Sequence, residues 1–96
     1  MVSATLLFHE KEEYDDGHIS ELKIWLLPGA TSERPHGLKY SLFYGREGAR
    51  IVGYDNERGK GDHRHYGAVE EKYEYQSMRQ LISDFMGDVA RVRRSK

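Results

Sequence analysis

The stretch from Ser77 to Lys96 places the strongest constraint on what this chain can fold into. Met78, Leu81, Ile82, Phe85, Met86, Val89 and Val92 recur at three- and four-residue intervals and draw one apolar stripe along a helix. Ser77 and Gln80 predict a capping box: the hydroxyl accepts from a free helix N–H, and the amide reaches back to the cap. Gly87 costs about 1 kcal/mol relative to Ala but leaves the pattern intact. Arg91, Arg93, Arg94 and Lys96 close the helix, where cations suit the negative end of the dipole and read as a solvated end. A lone helix cannot bury such a stripe. It needs a second layer, and the residues upstream read as strands.

The first strand reads from Ser3 to about Glu13, with Thr5, Leu6, Leu7 and Phe8 suiting a strand, and Asp15-Asp16-Gly17 turns the chain. His18–Leu27 returns, with Leu22, Ile24 and Leu26 on one face and Glu21, Lys23 and Trp25 on the other. Pro28 ends it, and Gly29–Gly37 is a polar loop. A second hairpin pairs Lys39–Tyr44 with Arg50–Asp55 across Arg46–Ala49. Gly59–Tyr66 reads as a loop, and Val69–Tyr75 as a short, charged edge strand. The expected fold is α+β: an antiparallel sheet of four to five strands in meander order, with the helix packed on one face. Trp25, Tyr40 and Phe43 read as core, and His9, His18 and His36 as structural.

At 96 residues the expectation is a single domain, 1–96, with a small core. There is no cysteine, which excludes disulfides and cysteine-based zinc sites and suits a cytoplasmic protein. No apolar run approaches the roughly 20 residues of a membrane span, and no secretory leader is expected. The net charge of −1 gives no global pull toward nucleic acid. Met1–Gly37 carries three Lys/Arg against seven Asp/Glu and Leu38–Lys96 twelve against nine, an asymmetry ordinary for a surface.

Candidate chemistry concentrates between Tyr54 and Tyr66. Gly59 and Gly61 flank Lys60, but no GK[ST] follows, so this is not a nucleotide-binding P-loop. His63 and His65, two residues apart, project from one face of an extended segment. Such a pair can supply acid and base for phosphodiester cleavage near neutral pH. Arg58, Lys60 and Arg64 can neutralise transition-state charge, and Tyr54 or Tyr66 can stack on a base. RNA brings its own 2′-hydroxyl nucleophile, so neither a covalent intermediate nor a metal is required. The same histidines with Asp55 or Asp62 could instead hold a metal, a weakly specific signal. A solvated loop of this composition needs no chemistry at all.

The hairpin YSLFYGR, the block VGYDNERGKGDHRHY and the capped helix SMRQLISDFMGDV resemble the TumE family of toxin–antitoxin toxins over nearly the whole chain. The most specific part runs from Tyr54 to His65, with its Tyr-Asp-Asn triplet and H-x-H pair. The resemblance implies a small cytoplasmic toxin encoded beside a cognate helix-turn-helix antitoxin, by analogy with small ribonuclease toxins of the RelE and HigB kind. Strands first and helix last departs from the helix-first order of RelE. The expected activity is a metal-independent, ribonuclease-like one. In it His65 is the base and His63 the acid, or the reverse, and Asp62 or Asp55 orients a histidine. Lys60, Arg64 and Arg58 hold phosphate. A non-enzymatic RNA- or protein-binding module is the alternative. No cofactor and no membrane partner are expected, RNA is, and a homodimer is left open.

Overall fold

In a computed structural model describing residues 4–32, 34–56 and 61–95, six strands precede the helix. β1 (Thr5–Glu13), β2 (Ile19–Leu26), β3 (Leu38–Arg46), β4 (Ala49–Asp55), β5 (His63–Tyr66) and β6 (Val69–Lys72) lie side by side in chain order, each antiparallel to the next. α1 (Met78–Arg94) follows. The α+β meander with one C-terminal helix is as expected; the strand count is higher. The extra strand comes from the second half of the expected loop. His63–Tyr66 pairs with β4, and Gly67, at φ +58°, turns it directly into β6. Only glycine enters that backbone region cheaply, which allows so short a reversal.

Alternation in β2, β3 and β4 builds the core. Leu22, Ile24, Leu42, Tyr44, Val52 and Tyr54 are buried on one face and meet Leu81, Phe85 and Val89 of α1. Tyr54 and Phe85 pack edge to face, ring centres 6.0 Å apart. Tyr40 joins this core, whereas Trp25 and Phe43 are only half-buried on the opposite face. Leu26 is exposed, at the end of its strand.

Ser77 caps α1 by accepting from the Gln80 N–H at 3.0 Å. The reciprocal half of the capping box does not form. The Gln80 amide instead donates to Asp84 Oδ1 at 2.7 Å, a charged acceptor one turn along the same face. Nor is the C-terminal end merely solvated. Arg93 Nη1 donates to Tyr44 Oη at 2.9 Å and to Asp16 Oδ2 at 3.1 Å, with its guanidinium 4.0 Å from the Tyr14 ring centre. Asp88, 6% exposed, accepts from the Tyr54 and Tyr66 hydroxyls and from Arg91. These contacts tie the last two turns of the helix to both ends of the sheet. Among the described residues no helix is long and apolar enough to cross a membrane.

Phe85→Ala is expected to cost about 3–5 kcal/mol in urea unfolding, because it empties the centre of the helix–sheet interface. Val69→Ala, at a residue 60% exposed on the edge strand, should stay within about 0.5 kcal/mol.

Candidate functional site

Side chains alternate along a strand, so β4 and β5 each divide between two faces. Tyr54 and its cross-strand partner Arg64 face the helix. Asp55 opposite His63, and Gly53 opposite His65, face the side the helix leaves uncovered. The β5–β6 register then sets Glu70 across from His65 and Lys72 across from His63 on that same open face. Two cross-strand rows result: Lys23, Ser41, Asp55, His63 and Lys72 in one, and Glu21, Phe43, Gly53, His65 and Glu70 in the other.

At their centre the two imidazoles meet edge to face, ring centres 4.9 Å apart, and both residues are buried. His63 Nε2 lies 2.5 Å from Asp55 Oδ1 and 3.3 Å from Glu70 Oε2. His65 Nε2 lies 3.7 Å from Asp55 Oδ2 and 3.6 Å from the same Glu70 oxygen. The other nitrogen of His63, Nδ1, is 2.9 Å from the Gly61 carbonyl oxygen. Arg50 reaches over Gly53. A Cβ there would stand 2.5 Å from Arg50 Cδ, so the glycine makes room for the arginine. Its guanidinium comes to rest 3.7 Å from Asp55 Oδ2. Burial, reinforced by the Arg50 charge, holds the His65 pKa below its ordinary 6.5 and leaves that ring neutral at neutral pH. A shallow hollow of about 320 Å³ opens beside His63, Glu70, Glu71 and Lys72. A second, of about 280 Å³, is lined by Trp25, Lys39, Tyr40, Ser41, Asp55 and Asn56, with Lys39 Nζ 5.3 Å from the Trp25 ring centre.

Of the residues singled out from sequence, the structure brings together His63, His65 and Asp55. Arg64 is directed away from them, on the helix side of the sheet, with Nε donating to Glu71 at 2.6 Å. Tyr54 is fully buried, and the Tyr66 hydroxyl is held by Asp88, so neither ring stands beside the histidine pair. Asp62 orients neither His63 nor His65. It takes up His36 Nε2 at 3.0 Å and the Tyr40 hydroxyl at 2.6 Å, while His36 Nδ1 accepts from the Leu38 N–H. Lys60 and Arg58 lie outside the described residues, as does Gly59. The Tyr-Asp-Asn triplet divides its work in three. Tyr54 fills the core, Asp55 joins the histidines, and buried Asn56 pairs with the backbone of Leu38 and Tyr40.

Two residues of the cluster were missed from sequence, Glu70 and Arg50. Glu70 was readable only once Gly67-Ala68 is taken as a two-residue turn, which fixes the register of VEEK against HRHY. Arg50 was signalled by Gly53, since an interior strand glycine marks the close approach of another group.

A family model described as Toxin TumE matches residues 4–93 of the chain. No curated protein and no solved structure gives a match.

Asp62→Asn should cost about 1–3 kcal/mol of stability, as expected for a buried network losing its charged acceptor, and should leave the His63–His65 cluster in place. Burial, together with hydrogen bonds to Asp62 and Asp84, raises the pKa of Tyr40 and Tyr73 above 10. The folded chain thus favours the protonated phenols, so their contribution is complete below about pH 10 and is lost as pH rises beyond it. Urea midpoints should fall as pH rises above about 10, and Tyr40→Phe with Tyr73→Phe should flatten that fall.

Proposed function

Because the chain belongs to the TumE toxin family and is thereby a toxin component of a toxin–antitoxin system, we propose that it inhibits growth by cleaving RNA phosphodiesters at the open face of its sheet. The observation that supports this reading is the convergence of His63, His65 and Asp55 on the face that the helix leaves accessible. Arg50, Lys72, Lys23 and Lys39 surround the cluster on that face and suit a phosphate backbone, which is bound chiefly through charge. Trp25, half-buried beside Lys39 in the hollow that ends at Asp55, takes the stacking role expected of Tyr54 or Tyr66. Lys60 and Arg58 are further phosphate contacts by sequence.

Cleavage joins the 2′-oxygen to phosphorus and expels the 5′-oxygen. One proton leaves the nucleophile and one reaches the leaving group, giving a 2′,3′-cyclic phosphate and a 5′-hydroxyl end. In the direct acid–base version neutral His65 takes the first proton, and His63, set between two carboxylates, supplies the second. In the other version Asp55, His63 and His65 would hold a metal ion, which would supply a Lewis acid for the same cleavage. A helix-turn-helix antitoxin that covers this face completes the proposed system.

Expression of the wild-type chain should stop growth, and the purified protein should cut single-stranded RNA. The His63→Ala/His65→Ala double variant should lose about 100-fold or more of the cleavage rate. Since both rings are buried, circular dichroism and His65→Gln serve as controls for folding. Full growth inhibition by the folded double variant would move the toxin to a contact-binding mode with no role for these histidines.

A further inference from the structure

We propose that Asp55, His63 and His65 form a binding site for one first-row transition-metal dication of the zinc or manganese type. The site shares residues with the proposed reaction centre but stands whether or not RNA is the substrate.

The case begins at His63. A carbonyl oxygen can only accept, so the 2.9 Å contact with Gly61 O places the hydrogen on Nδ1. In the neutral ring Nε2 is then a bare lone pair. It lies 2.5 Å from Asp55 Oδ1, a buried oxygen that accepts no hydrogen bond. Two lone-pair atoms do not settle at that distance unless positive charge lies between or beside them. A proton on Nε2 would offer Oδ1 a donor, yet Oδ1 makes no hydrogen bond there and stays unsatisfied. A metal ion set off the N–O line answers both lone pairs at once.

The surrounding distances fit that answer. Ligand atoms about 2.0–2.1 Å from a tetrahedral ion lie roughly 3.3 Å from one another. Ligand atoms of Asp55, His63 and His65 all lie within 4.8 Å of each other, and Asp55 Oδ2 is 3.7 Å from His65 Nε2. Glu70 Oε2, 3.3 Å and 3.6 Å from the two Nε2 atoms, stands where a fourth ligand belongs. The short His63–Asp55 contact needs to open by only about 1 Å to join the set. Gly61 supplies the outer contact that fixes a ligating histidine in its tautomer. Arg50 engages Oδ2 and leaves Oδ1 to the ion. Two imidazoles and a carboxylate, with no thiolate, match zinc, manganese or iron(II) better than a soft ion such as copper(I).

The full chain, stripped with a chelator and dialysed, would be titrated calorimetrically with zinc and separately with manganese. Binding of one ion per chain is expected, with a rise in melting temperature. Asp55→Asn and His63→Gln should each weaken affinity about 100-fold or more, and His9→Gln, at a surface histidine outside the cluster, should not. Absence of stoichiometric binding, or binding untouched by Asp55→Asn and His63→Gln in folded protein, would overturn the site. Stoichiometric binding together with histidine-dependent RNA cleavage by metal-free protein would keep the site and assign the RNA reaction to the direct acid–base version. Stoichiometric, Asp55-dependent binding without RNA cleavage would keep the site and remove RNA.

Discussion

A single helix can cover only one face of a sheet, and most of the molecule's organisation follows from that. Strand side chains alternate, so each residue of β4 and β5 is committed either to the helix or to the open side. Val52 and Tyr54 go to the helix; Asp55, His63 and His65 do not. The polar cluster therefore adjoins the core across one layer of backbone yet spends none of the apolar contacts that hold the helix down. A one-residue register slip between β4 and β5 would exchange the two sets, burying imidazoles against Phe85 and exposing tyrosines. Stability and chemistry are bound to the same register.

The two carboxylates closest to Tyr54 make the contrast concrete. Asp88 lies under the helix and is satisfied by two phenols and a guanidinium. Such a group is strongly structural, because each donor lost would leave buried charge uncompensated. Asp55, on the other face, holds an oxygen with no donor beside an imidazole nitrogen that carries no hydrogen in the neutral ring. One carboxylate has every oxygen satisfied within the protein, and the other keeps one oxygen without a hydrogen bond. That difference supports placing the proposed ligand site on the open face.

How much of this was readable beforehand varied with the distance over which each feature is determined. The helix was legible because its stripe repeats within seventeen residues, and Ser77 caps it locally. The first two hairpins were legible because Asp16-Gly17 and Glu47-Gly48 are local turn chemistry. β5 was read as a loop because HRHY is polar on both faces, so alternation of apolar with polar residues had nothing to mark. The H-x-H pairing survived that error, since any extended segment puts both rings on one side. Arg64 and Asp62 were drawn into the site by proximity in sequence alone. Alternation sends the arginine to the other face, and a histidine 26 residues upstream claims the aspartate. The partners of Asp62 and the arrival of Glu70 depend on cross-strand register, which no local pattern states.

Charge decides how the open face can treat a phosphate. Asp55 and Glu70 bring two negative charges to two histidines, of which His65 is neutral, and Arg50 offsets one of them. With both imidazoles neutral, the centre would repel a phosphodiester even though lysines ring it. A single proton on His63 brings the local sum to neutrality, enough to admit a phosphate but not to draw it in. The proposed dication, held by the same atoms, would reverse the sign at the centre and would supply a Lewis acid there. The lysines at the rim would then steer a phosphate backbone toward it. A bound cation would reconcile an anionic substrate with a carboxylate-lined centre, and Asp55 Oδ1, which accepts no hydrogen bond, is the atom that most favours one.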